Sequence, residues 1–417
     1  MITVSLNILV ITAYHPPYHL GGYELRCKNV LDALVKRGHK VTVVTDIHSE
    51  IGEKAIEENI YRVLHATRSN NLMAQVLWDI QDIQWVNKLI HLKKIDVLYL
   101  WHTIVLSRTI FPFVAELKLP VVYDEGGVGL SHAWTKHGDW INFCDRKRTS
   151  RIMNVLKILV STLARVSSGG ILPISWSWPE NMSVYFNSHA GLESAKEVGI
   201  PINKPQVIYS GLSLEKFPYK KSIPFSKRRI RLLVPGRIAR IKAVDLAIKI
   251  LESLKTGASQ QQFEMVIVGP VTDEIYFKEL RELIGRINLQ SDVQFLDHVD
   301  YENISSLYCS AEFCLFPSQQ MEGLSRVPLE AMASGSLVFS TGNEGSKEII
   351  ENGTTGYILS FEHPGDIARI IFSLVDNNSL YQEIINNARK KVEEHFAIEK
   401  SVDQIEQVLI NTVRAFL

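Results

Sequence analysis

Two carboxylates, Glu322 and Glu330, are separated by seven residues within FPSQQMEGLSRVPLEAMASG, residues 316–335. A carboxylate accepts paired hydrogen bonds from neighbouring hydroxyls, such as those of a ribose or a hexose. The elements that must hold them are legible around them. Residues 313–316 are a short apolar run of the length of a buried parallel strand, and Pro317 stops it. Pro328 suits the first turn of a helix, which Gly335 then ends. A helix start presents free backbone N–H groups and the positive end of its dipole, a setting that suits phosphate. Two acids around such a start suggest a sugar–phosphate–sugar ligand. The spacing fits a plainer arrangement equally well, with Glu330 stabilising its own helix and Glu322 a solvated loop acid.

A second group of charges lies in PGRIARIKAVDLAIKILESL, where a strand ending near Val234 turns into a helix. Arg237 and Lys242 sit at that turn. A guanidinium fork and an ammonium at a helix entrance would stabilise a departing diphosphate. Near the N-terminus, residues 6–12 read as a strand, followed by a loop with Gly21 and Gly22 and a helix over 23–36. Paired glycines let a diphosphate approach the backbone closely, and they also make a tight strand-to-helix turn. The loop is not GxGxxG, so a dinucleotide site has weak support. Strands over 96–101 and 121–123 carry His102 and Asp124-Glu125-Gly126-Gly127 at their carboxyl ends. Open α/β sheets bind ligands at such ends.

The first of these segments resembles the Glu-x7-Glu signature of the family-4 retaining glycosyltransferases. Pro317, Ser318, Glu322, Gly323, Leu329, Glu330, Ala331, Met332, Ala333 and Gly335 match, and Ser325 stands where a second glycine is usual. Gly236, Arg237 and Lys242 are similar to the Gly-Arg-x4-Lys-Gly motif, with Ala243 in place of its last glycine. Ser188, Lys204, Val207, Ile208, Gly211 and Phe217 hold the places of the interdomain passage. The resemblance implies a GT-B fold, two Rossmann-like doubly wound parallel-sheet domains facing a central cleft. It implies transfer of a sugar, with retention, from a nucleoside diphosphate sugar (UDP-linked by family habit) to a hydroxyl of a glycan, lipid-linked or polysaccharide-precursor acceptor. The donor is then expected against Gly21, Gly22, Gly236, Arg237, Lys242, Val299, Glu322, Gly323, Leu324, Ser325, Arg326 and Glu330. Glu322, Arg237 and Lys242 are the expected catalytic groups. Asp124, or in second place Glu125, joins them where the family often has a His-Asp or His-Glu pair, as a sugar contact or acceptor base. A nucleotide-sugar epimerase or hydrolase, and a non-catalytic nucleotide-sugar-binding partner, remain compatible with the same motifs. A dehydrogenase is disfavoured by the missing GxGxxG.

At 417 residues the chain suggests two domains, expected at 1–205 and 206–395, with a helix over 396–417 crossing back to the first. Lys plus Arg and Asp plus Glu both total 45, which argues against a nucleic-acid binder. Cys27, Cys144, Cys309 and Cys314 form no CxxC pair, and no Asp-x-Asp is present, so no metal and no cofactor beyond the donor is expected. With no basic leader and no long apolar span, a cytosolic enzyme fits best.

One segment adds a condition. Ile152, Val155, Leu156, Leu159, Leu163 and Val166 recur at helical spacing, among Arg146, Lys147, Arg148, Arg151, Lys157 and Arg165. No acid stands between Asp145 and Glu180, and Trp134, Trp140, Trp176 and Trp178 flank the segment. Two placements fit residues 146–166: a helix resting on an anionic membrane surface at the inner face, or a core-packed helix with a solvated basic face.

Overall fold

The computed structural model describes residues 5–18, 21–47, 55–66, 71–101, 103–127, 129–135, 140–145, 150–180, 182–220, 225, 229–257, 261–297, 299–300, 303–319, 323–342 and 345–417. The chain divides into two compact units, one ending at Tyr209 but including Ser401–Leu417, the other Ser210–Lys400.

In the first unit β1 (Asn7–Ile11), α1 (Gly22–Lys36) and β2 (Lys40–Asp46) open an α/β alternation. A hairpin of β3 (Ala55–Glu57) and β4 (Ile60–Leu64) follows, then α2 (Leu72–Lys93) and β5 (Val97–Leu100). Next come α3 (Ile110–Glu116), β6 (Val121–Glu125) and the short helices α4 (Gly129–Thr135) and α5 (Trp140–Asp145). The unit continues through α6 (Arg151–Ser167), β7 (Met182–Phe186), α7 (His189–Glu197) and β8 (Gln206–Val207). The strand order is β3-β4-β2-β1-β5-β6-β7-β8. All neighbours are parallel except β3, which pairs antiparallel with β4 at the edge. The central strands are apolar end to end because helices cover both faces; Val10, for example, lies between Val43 and Tyr99, fully buried.

The second unit alternates more regularly. Its strands and helices run β9 (Ile230–Pro235), α8 (Val244–Thr256), β10 (Phe263–Val268), α9 (Glu274–Arg286) and β11 (Val293–Leu296). After these come α10 (Ile304–Ser310), β12 (Phe313–Phe316), α11 (Arg326–Ser334), β13 (Leu337–Ser340), α12 (Ser346–Ile349) and β14 (Tyr357–Ile358). Two helices, α13 (Pro364–Asp376) and α14 (Asn378–His395), close it. The sheet is parallel throughout, in the order β11-β10-β9-β12-β13-β14.

The last helix, α15 (Ile398–Phe416), has most of its length in the first unit. There Arg37 pairs with Asp403 at 2.7 Å and Glu406 at 2.6 Å. His39 takes a backbone N–H from Leu6 on Nδ1 and stands 2.9 Å from Glu406 through Nε2. Burial alone would raise the Glu406 carboxyl, but the bonds from His39 and Arg37 outweigh it and hold it below the ordinary value.

Candidate functional site

In the second unit the chain leaves β9 on one side towards β10 and β11, and leaves β12 on the other towards β13 and β14. Where a parallel sheet reverses direction in this way, the loops at the carboxyl ends of the two central strands splay apart and open a crevice. Both charged motifs fall there. Arg237 and Lys242 follow β9; Gly323, Leu324, Ser325 and Arg326 follow β12 and run into α11.

The loop after β9 is pinned by backbone. Gly236 N–H donates to the Val268 carbonyl at 2.9 Å, and Ile238 N–H to that of Pro270 at 2.9 Å. Gly236 has φ +137, and a Cβ on Gly269 would stand 2.2 Å from the Gly236 carbonyl oxygen, so both places demand glycine. The pinned turn leaves Arg237 exposed. A single 3₁₀ turn, Arg240–Lys242, then leads to Ala243 at φ 48, ψ 44. That left-handed conformation explains why a glycine is usual there, and alanine carries a strain of about 1–2 kcal/mol.

The two loops touch. Gln319 N–H donates to the Ile241 carbonyl at 2.9 Å, and Lys242 Nζ lies 3.4 Å from Ser318 Oγ. Thr341, just past β13, donates its hydroxyl to the Ser318 carbonyl at 2.7 Å. Lys242 is thereby held half-buried beside the end of β12. Further along, the Gly323 carbonyl lies 2.5 Å from where a Cβ on Gly345 would stand, so the incoming loop rests on the start of α12. Leu324 is buried and anchors that loop. Ser325 caps α11 without a side-chain hydrogen bond, and the first turn contains no acid. The positive end of the helix is left to whatever occupies the crevice.

Glu330 sits in the second turn of α11 and is 6% exposed. It accepts from Tyr308 Oη at 2.9 Å and from Arg326 Nε at 3.0 Å. Burial, then the neighbouring Glu330 charge, pushes the Tyr308 phenol well up, so it stays a donor. The helix start and the acid thus form one unit with Arg326, and a carboxylate with about four acceptor positions keeps capacity beyond these two donors. Val299 is half-buried after β11, with β10 and β9 between that strand and β12. Glu322 lies outside the described residues, as does His102.

The first unit departs from expectation. Gly21 caps α1 in an extended conformation, and its N–H donates to the Glu24 carboxylate at 3.0 Å. An acid of the chain itself therefore takes the Gly21 N–H, beside which a phosphate was expected. Asp124, expected as a sugar contact or acceptor base, is engaged by the chain's own groups. It is fully buried, takes both Arg26 Nη1 and Nη2 at 2.8 and 2.7 Å, and accepts from Tyr23 Oη at 2.9 Å. Burial opposes the Arg26 charge, but the Asp124 carboxylate outweighs it and raises the guanidinium. The Trp101 and Tyr23 rings flank Arg26 at 4.9 and 5.9 Å. Glu125 is equally internal. Its carboxylate accepts from the N–H groups of Gly127, Gly129 and Leu130 at the start of α4; burial raises it and those bonds pull it down. Sequence reasoning missed Arg26, Tyr308 and Glu24, since no local pattern tells that the first two donate to a carboxylate or that the third takes the Gly21 N–H.

With this geometry in place, comparison with known proteins shows what the chain is similar to. Residues 215–391 match the family glycosyl transferases group 1. The likeness to that family lies in this segment, and the fold is GT-B, two Rossmann-like parallel-sheet units. It is similar along 98% of both chains, at 23% identity, to the uncharacterized glycosyltransferase MJ1607 of Methanocaldococcus jannaschii. A 24% identical match to the N-acetyl-alpha-D-glucosaminyl L-malate synthase of Bacillus anthracis spans 54% of this chain and 59% of that protein. Among solved structures, Anabaena Alr3699/HepE in complex with UDP superposes with a TM-score of 0.69 at 19% identity, over 97% of this chain and 100% of that one. The sucrose-phosphate synthase of Thermosynechococcus elongatus gives 0.74 at 15% identity, over 98% and 100%. At these identities the structures speak for the fold alone.

Proposed function

We propose that this protein is a retaining glycosyltransferase that moves a sugar from a nucleoside diphosphate sugar to a hydroxyl of a glycan, lipid-linked or polysaccharide-precursor acceptor. The observation that carries the reading is the placement of Arg237 and Lys242 after β9 and of the acid-free start of α11 after β12, at the reversal point of the second sheet. Departure of a diphosphate is the step that most needs charge stabilisation, and two cations beside a helix start supply it without a metal. Arg237 pairs with the diphosphate as a fork, Lys242 as a point charge, and the α11 N–H groups close on the remaining oxygens. Glu330 takes ribose hydroxyls alongside Arg326, and Glu322 holds the donor sugar. Retention follows from attack on the face the diphosphate leaves, with the leaving phosphate accepting the acceptor's proton. UDP is the favoured nucleotide, a choice supported by the Anabaena protein whose structures hold UDP and UDP-glucose.

A thermal-shift panel of UDP, GDP, ADP and their common sugar conjugates tests this. A selective rise for one nucleotide is expected, since a ligand at 100 times its dissociation constant adds about 2.7 kcal/mol. Silence across the panel from folded protein would point to a non-catalytic partner. Donor turnover that persists without any acceptor would point to a hydrolase or epimerase.

A further inference from the structure

Helix α6 is turned the wrong way round for a core helix. Its side against α2 and α5 presents Ser161 and Ala164, both 8% exposed, with Asn154 and Lys157 half-buried. These positions follow one another at helical spacing. The aliphatic stripe Ile152, Val155, Leu156, Leu159, Leu163 and Val166 lies on the opposite side, each residue between 50% and 79% exposed. The polar side is satisfied locally: Ser161 donates to the Ile158 carbonyl at 3.1 Å, and just past the helix Ser168 donates to Arg165 and accepts from Leu172 N–H. The helix therefore cannot gain by rolling its stripe inward. Contiguous apolar surface of this extent on a folded chain marks an interaction face.

Charge selects the occupant. From 146 to 179 the chain has six Lys or Arg and no acid, although the whole chain is neutral. Arg165 rests 3.7 Å from Glu116, Arg151 opens the helix, Lys157 lies half-buried in its middle, and Arg146, Lys147 and Arg148, which precede it in sequence, lie outside the described residues. A second copy docked on this face would bring two basic segments together. A bilayer rich in anionic lipid offers both an apolar interior and negative headgroups. Seventeen residues make a rod of about 25 Å, suited to lying in the headgroup plane, and among the described residues no helix is long and apolar enough to cross a membrane. The flanking tryptophans pack inward instead: Trp140 is fully buried on the Pro173 carbonyl, and Trp134, Trp176 and Trp178 lie partly buried against the core, the last stacked on Phe111 at 5.6 Å. We propose that the outward stripe of α6 seats this protein on an anionic lipid surface. The proposal rests on the first unit alone and stands independently of the transfer chemistry.

The test is co-sedimentation of the full chain with phosphatidylcholine vesicles, with and without phosphatidylglycerol, beside gel filtration. Wild-type protein is expected to bind the phosphatidylglycerol vesicles selectively. Leu159→Glu combined with Leu163→Glu should weaken that binding at least about tenfold, with the far-ultraviolet spectrum unchanged because both side chains are exposed. Leu163→Ser alone, a gentler change, should lower it severalfold. No binding by folded wild-type protein, or equal binding by the variants, would overturn the proposal. So would a wild-type dimer that the double variant splits without any lipid binding, which would assign the face to a second copy.

Discussion

Helices α1 and α11 begin alike in sequence, each after a glycine-containing loop at the carboxyl end of a parallel strand, yet they end as opposite sites. At α1 the Gly21 N–H is taken by Glu24, an acid in the helix's own first turn. Two positions on, Arg26 is sunk beneath Tyr23 and Trp101 onto Asp124. At α11 the first turn has no acid, the cap makes no side-chain bond, and Lys242 and the exposed Arg237 stand on the neighbouring loop. A helix start is an anion site only while its own chain leaves it unneutralised. The first start is engaged by the chain's own acid, and the second lacks one, as the proposed diphosphate site requires.

Changes at the two starts should therefore fall on different observables. Replacing Arg26 by Ala should have the largest effect, on stability, because it strands a fully buried Asp124 carboxylate. A loss of about 3–5 kcal/mol is expected in denaturant unfolding; a loss under about 1 kcal/mol would mean that the pair is not structural. Glu330→Gln, which keeps an acceptor for Tyr308, should spare most of the stability while lowering nucleotide affinity by about 1–3 kcal/mol in a titration. Unchanged affinity would remove Glu330 from the ligand. Glu24→Gln should cost about 0.3–1 kcal/mol of stability through the lost charge at the α1 start and leave nucleotide binding alone. Weaker nucleotide binding there would erase the contrast between the two starts. Smallest is Ala243→Gly, where relief of the left-handed strain is partly offset by a more flexible unfolded chain, for a net gain of up to about 1 kcal/mol. A clear loss of melting temperature would show that the Ala243 methyl is worth more in packing than it costs in strain.

What could be read in advance followed locality. The strand–loop–helix units around 230–256 and 313–335 rest on apolar runs bounded by Gly and Pro, so β9, α8, β12 and α11 emerge within a few residues of expectation. The Arg237 and Lys242 turn was legible for the same reason. Contacts between distant positions were not: Asp124 meets Arg26 from 98 residues away, and Tyr308 reaches Glu330 from another helix. A carboxylate in a sequence does not say whether its partner is a sugar or a guanidinium. The edge hairpin β3–β4 left too short a pattern to register. In α6 the periodicity located the apolar stripe correctly, but period alone carries no information on which face a fold turns inward.

The most direct measurement is a calorimetric titration of UDP, GDP and ADP into wild-type protein and into an Arg237→Ala, Lys242→Ala double variant. The expected result is that one nucleoside diphosphate binds the wild type and loses at least about tenfold in the variant, consistent with a lost charged contact of about 1.5–3 kcal/mol, while the melting temperature holds. Equal affinity for that nucleotide in both proteins would contradict the assignment of the crevice between β9 and β12 as the diphosphate site.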